Sequence, residues 1–247
     1  MTTALTPPTT APGQLAAALR AQGHAVLAPS GLQALADVDA AALDAMRASW
    51  EALPPDTYLR DGGRYRRRRH SCFVVEGPLV VPAPHRAHWQ PVEYNALHGG
   101  LERWFEPMSA GVVATPAWSH LLAGLAAVCS ELKGAQPWYV EAHQFRIDTT
   151  DGIGRPTPEG AHRDGVDFVA VILVARVGIK GGETRVFDAT GPHGQRFTLD
   201  EPFSALLLDD ARVIHESTPI QPLDPAREGH RDTLVLTYRA GGFQGAA

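Results

Sequence analysis

His162-Arg163-Asp164, with His215 some fifty residues downstream, is the grouping in this chain whose residue types and spacing best suit a metal centre, ahead of the other histidines that could compete. A histidine and an aspartate two apart on an extended segment point to the same side. A second histidine from a distant strand completes a set of three. Two imidazoles and one carboxylate leave three open positions on an octahedral ion, the arrangement that suits non-haem Fe(II). Zinc is the rival, since three protein ligands plus water also describe a catalytic zinc site.

An Fe(II) centre that oxidises a C–H bond with O2 needs two further electrons. A 2-oxo acid supplies them while chelating the metal through its keto and carboxylate oxygens. Its far carboxylate then calls for a basic group with fork geometry, which is arginine. Arg231 opens the last strand expected in the chain and Arg239 closes it. Their even separation keeps both on one face, so parity does not choose between them. Gln144 and Arg146 share a face of an earlier strand with Trp138, Val140 and Ala142. They are candidates for binding the cosubstrate or a substrate carboxylate, with a strand-edge charge network as the alternative.

These residues must be held by strands. From residue 137 onward, segments 138–147, 161–164, 167–176, 183–188, 195–199, 204–209, 212–220 and 231–240 carry β-branched and aromatic residues separated by Gly, Pro and Asp. Eight such strands predict a jelly roll or double-stranded β-helix with core 137–240. The first half reads as an N-terminal helical elaboration, giving a mainly β fold with flanking helices. Helices are expected at 14–22 and 39–53, a strand at 24–28, and loops with a few short strands over 56–114. Thr115-Pro116 marks a helix start and Gly134 its end. Residues 1–13 read as a flexible arm, and 14–247 as one domain.

Composition narrows the function classes. The chain has 247 residues, 44% of them hydrophobic, and a net charge of −5. The acidic balance argues against nucleic acid as the main partner, although Arg64-Tyr65-Arg66-Arg67-Arg68-Arg69-His70 is strongly basic. That run reads as a lid or loop reaching an anionic substrate, or as a solvated face. Tyr94-Asn95 and Trp104-Phe105 are candidate substrate walls. Two cysteines, Cys72 and Cys129, make no disulfide framework, and a reducing, cytoplasmic setting is expected. No signal peptide and no membrane span are expected.

The chain resembles the 2-oxoglutarate/Fe(II)-dependent dioxygenases, and more narrowly the bacterial family that includes free L-amino-acid hydroxylases such as L-isoleucine 4-hydroxylase. The resemblance is carried by Glu141-Ala142-His143-Gln144-Phe145-Arg146-Ile147 and by the run from Thr157 through His162-Arg163-Asp164-Gly165 to Phe168. Gly181-Gly182-Glu183-Thr184, His215-Glu216-Ser217-Thr218-Pro219-Ile220 and Arg231-Asp232 continue it. It implies a double-stranded β-helix, Fe(II), 2-oxoglutarate and O2. It implies His162, Asp164 and His215 as ligands, Arg231 on the distal 2-oxoglutarate carboxylate, and a small substrate such as an amino acid. Two other classes stay open on the residues alone: a non-catalytic ligand- or partner-binding barrel, and a zinc hydrolase.

Overall fold

The computed structural model describes residues 5–245. In chain order the elements are α1 (Leu15–Gln22), β1 (His24–Leu27), α2 (Pro29–Ala36), α3 (Ala40–Ala45), β2 (Arg66–Glu76), β3 (Leu79–Pro82), α4 (Ala110–Val113) and α5 (Pro116–Lys133). There follow β4 (Trp138–Asp148), β5 (Phe168–Val177), β6 (Ile179–Gly181), β7 (Thr184–Asp188), β8 (Gly194–Phe197), β9 (Ala205–Asp209), β10 (Val213–Ser217), β11 (Ile220–Pro222) and β12 (His230–Ala240). The major sheet has seven strands in the order β1-β9-β5-β12-β4-β2-β3. Opposite it stand a three-stranded sheet, β10-β7-β8, and a two-stranded one, β11-β6. All pairings between named strands are antiparallel.

Each face of the major sheet is packed differently. Outside, α5 lies on a core that includes Phe73, Val140, Ala142, Leu236 and Tyr238. Thr115 caps α5 by accepting from Trp118 N, and Pro116 supplies a preset φ at its first turn. Tyr238 donates its hydroxyl to Leu122 O at 3.1 Å, tying the sheet to the middle of this helix. Between the sheets, Val186, Phe197 and Val213 meet Val26, Val169, Leu173, Leu206 and Leu208. That apolar packing closes one end of the sandwich. At the other end, the inner faces of β2, β4 and β12 carry polar side chains instead, and a cavity lies there.

Several expectations are corrected. The basic run 64–70 is not a loop: most of it lies in β2, an eleven-residue strand paired with β4 over Arg66–Val75. Alternation then sends Arg66, Arg68 and His70 inward and leaves Arg67 and Arg69 partly exposed. The helix expected over 39–53 is α3 followed by a tighter 3-10 segment, Met46–Ala52. The strand expected at 161–164 is a single bridge, His162 with His215. The strand expected at 212–220 breaks at Thr218-Pro219 into β10 and β11. Residues 5–13 of the expected arm lie against the fold, with Thr10 N donating to Val26 O and Thr198 N to Leu5 O. The first four residues of that arm lie outside the described residues. No helix among the described residues is long and apolar enough to cross a membrane.

Candidate metal centre

His162, Asp164 and His215 converge at the wall of the cavity. Two backbone bonds set the histidines side by side: His162 N donates to His215 O, and His215 N to His162 O, both at 3.0 Å. Their rings stand 4.6 Å apart. Asp164 completes the set, with Oδ1 3.8 Å from His162 Nε2 and Oδ2 3.9 Å from His215 Nε2. His162 Nδ1 donates to Gly160 O at 3.0 Å, which leaves its Nε2 lone pair free for a cation.

The loop carrying Asp164 is built around a buried acid that sequence reasoning passed over. Asp210 accepts from the backbone N–H of Asp164, Gly165 and Val166 at 2.9, 2.8 and 3.1 Å. Gly165 has φ +76°, and a Cβ there would strike the Tyr94 ring, so glycine is required at this turn. Gln90 Nε2 donates to Asp164 Oδ1 at 3.2 Å and fixes the carboxylate from the cavity side. Burial, then repulsion from Asp164, pushes Asp210 up to about 6. Burial and then His162 push His215 well below the ordinary histidine range. Burial also opposes charge on His162, but Asp164 and Glu159 outweigh it and raise that imidazole. Glu159 lies 3.5 Å from His162 Nε2 and has a buried oxygen without a partner.

Arg231 lines the same cavity and is 3% exposed. Its Nε and one terminal nitrogen have no hydrogen-bond partner. Burial, then Arg176, pushes the guanidinium down to about 10. Arg239, on the same strand face, is half-buried outside this cavity, with one terminal nitrogen donating to Gly242 O at 2.6 Å. Gln144 and Arg146 are set apart from the cavity. On β4 the odd residues Glu141, His143, Phe145 and Ile147 line it, and the even ones turn away. Gln144 donates to Ser49 at 2.7 Å, and Arg146 is held by Asp232 and Glu51. The charge-network alternative describes Arg146.

A second polar group, of which His88, Glu141 and His143 line the same cavity, lies on and beside β4. His70 Nε2 and His88 Nδ1 donate to Glu141 Oε2 at 3.0 and 2.7 Å, and His143 Nε2 lies 3.9 Å from it. Arg68 donates to His143 Nδ1 at 2.7 Å, which places that ring's own proton on Nε2. The quartet is therefore a hydrogen-bonded cage around one carboxylate. Burial disfavours charge on Glu141, but His88 and His70 outweigh it and hold the carboxyl well below its usual range. Burial pushes His88 down to about 4. The sequence signal was present in Glu141-Ala142-His143, where the carboxylate precedes the histidine rather than following it.

The residues present fit an Fe(II)/2-oxoglutarate pair. The donor set is two imidazoles and one carboxylate, and a buried guanidinium with uncompensated donors faces the same cavity. Comparison with known proteins agrees. A family model described as 2OG-Fe dioxygenase matches residues 47–237. The crystal structure of a bsmA homolog from Methylobium petroleophilum PM1 is 56% identical, with a TM-score of 0.92 and 98% of each chain covered. IDO from Bacillus thuringiensis, 16% identical, superposes with a TM-score of 0.75 over 94% of this chain and 97% of its own. The Fe(II)/(alpha)ketoglutarate-dependent dioxygenase TqaL, 20% identical, gives 0.72 over 95% and 90%. At that identity the last two show the fold alone, a double-stranded β-helix. No functionally curated protein matches the chain.

Proposed function

The chain belongs to the 2OG-Fe dioxygenase family, and from that premise we propose that it hydroxylates an aliphatic C–H bond of a free amino acid or a close derivative. The overall change is balanced: substrate, O2 and 2-oxoglutarate give hydroxylated substrate, succinate and CO2. The observation that carries the reading is the meeting of His162, Asp164 and His215 with an uncompensated Arg231 in one cavity.

His162, Asp164 and His215 are the proposed ligands. Fe(II), when bound, activates O2 with electrons from 2-oxoglutarate and so supplies the oxidant for the C–H bond. The chain's own work is positioning. Arg231 presents a fork to the distal carboxylate of 2-oxoglutarate in a poorly hydrated wall, where a charge-assisted pair is strong. Gln90 and Asp210 hold Asp164 and its loop from two sides. Val166, Val171 and Val235 keep part of the wall apolar and limit water. The buried free thiols Cys72 and Cys129 suit a reducing, cytoplasmic setting.

The test combines anaerobic Fe(II) and 2-oxoglutarate titration with a succinate assay over a panel of free amino acids. Wild type should bind one Fe(II) and produce succinate stoichiometric with a product one oxygen heavier. His162→Ala, Asp164→Ala and His215→Ala should each lose Fe(II) affinity and turnover while keeping a cooperative melt. A variant with near-normal iron affinity and activity removes that residue from the ligand set.

A further inference from the structure

Four guanidiniums line the cavity: Arg66, Arg68, Arg103 and Arg231. Asp56 compensates two of them, lying 2.7 Å from Arg66 and 3.9 Å from Arg68. Arg68 is further held by His143 and by the rings of Phe105 and Phe145, at 3.8 and 4.4 Å. Arg103 is different. It is 2% exposed, pairs with no carboxylate among the described residues, and leaves its Nε without a partner. Its backbone is fixed in both directions against His88, with N–H to carbonyl distances of 2.9 and 3.0 Å. One terminal nitrogen donates to Gln90 Oε1 at 3.0 Å. The other end of that amide donates to Asp164 Oδ1. The guanidinium thus stands two hydrogen bonds from a proposed metal ligand.

We propose that Arg103 grips a carboxylate of the substrate to be oxidised, and that Gln90 registers that carboxylate against Asp164. The inference rests on the reading above and narrows it to substrates with a free carboxylate. Asp56, Glu159 and Glu141 act on Arg103 only from beyond ion-pair distance, and a buried cation with no carboxylate in contact is costly to a fold, which points to an anion that arrives with a ligand. 2-Oxoglutarate has two carboxylates: one chelates the metal beside the keto oxygen, and the other is assigned to Arg231. The anion for Arg103 must come from another molecule. A planar carboxylate matches the guanidinium fork. Gln90 makes the contact directional: its carbonyl oxygen also accepts from Asn95 at 3.0 Å, so the amide cannot turn without breaking both ends.

The experiment uses the full chain loaded anaerobically with Fe(II) and 2-oxoglutarate. The proteinogenic L-amino acids and their C-terminal amides are compared by thermal shift, then by mass gain of one oxygen in air. The acids should protect the wild type against melting and their amides should not. Arg103→Met should raise the KM of an accepted acid by about 30-fold or more, the usual scale for truncating one side of a buried charged contact. It should leave 2-oxoglutarate affinity within about 3-fold, and the ligand-free variant should melt at or above the wild-type temperature, because an uncompensated cation is gone. Arg103→Lys should recover part of the KM. Amides that protect or react as well as acids overturn the assignment. So does an Arg103→Met protein that loses 2-oxoglutarate together with the acid, or one whose Tm falls while its KM is unchanged. A wild type that binds neither Fe(II) nor 2-oxoglutarate instead sinks the oxygenase reading, a result distinct from all of these.

Discussion

Arg231 and Arg239 share a face of β12, yet their surroundings give them different consequences. Arg239 has a backbone carbonyl and partial access to solvent, whereas Arg231 is buried in the cavity wall with donors left over. Alternation along the strand could not separate them; depth could. If Arg231 holds the distal carboxylate, Arg231→Ala leaves that carboxylate buried and alone. The expected loss is about 2–5 kcal/mol of 2-oxoglutarate binding. Anaerobic titration of the Fe(II) protein reads it directly. Arg231→Lys should recover only part of the affinity, because a point charge lacks the fork. Arg239→Ala should bind 2-oxoglutarate like wild type, and the reverse pattern would transfer the assignment.

At the scale of elements, β4 shows how a strand divides its labour. Its odd positions furnish the cavity, while its even positions join the packing under the helices and a charge network with Asp232 and Glu51. Arg146→Ala removes both hydrogen bonds to the buried Asp232 carboxylate and leaves it only His230, 3.6 Å away, which should lower stability by roughly 3 kcal/mol. Denaturant unfolding measures that loss, and 2-oxoglutarate affinity should not follow it. A matching fall in affinity would restore Arg146 to the site. What was legible in the sequence follows the same division. The helix from Pro116 was plain because Thr115, Pro116 and Gly134 bracket it with local chemistry. The later strands were plain because their apolar residues face a core. β2 was hidden because its inward positions 66, 68 and 70 carry buried polar groups, two of them lining the cavity, which erase the alternation that marks a half-buried strand. His162 and His215 were legible through their types and spacing. Gln90, Arg103 and Asp210 were not, because each acts on residues that only the tertiary fold brings near it.

Over the whole molecule, one end of the sandwich is sealed by hydrocarbon and the other is lined with ionisable groups held away from water. That asymmetry should make stability depend on pH. Burial lowers His70, His88, His143 and His215, so the folded chain keeps these imidazoles neutral where the unfolded chain would protonate them. For His88 the limits are 6.5 in the reference state and about 4 in the fold. Its stabilising contribution is complete above 6.5 and falls as pH drops toward 4, because the unfolded state binds the extra proton in that window. Asp210 works in the opposite sense, since its raised value favours the fold at low pH and loses that advantage as pH climbs through about 6. His162, also raised, has the same opposing sign. His98 and His230 are lowered as well, so six histidines act in the first sense against these two, and the metal-free protein should lose stability between pH 6.5 and 5. His88→Gln isolates one contributor, because the amide can still donate to Glu141 but cannot titrate. One proton is worth about 1.4 kcal/mol per pH unit, and the unfolded histidine is only half protonated at pH 6.5, so wild type should lose about 1.5 kcal/mol more than the variant across that interval. Urea unfolding of both metal-free proteins at the two pH values gives the comparison, and parallel losses would mean that His88 takes up its proton over the same pH range in the fold as in the unfolded chain.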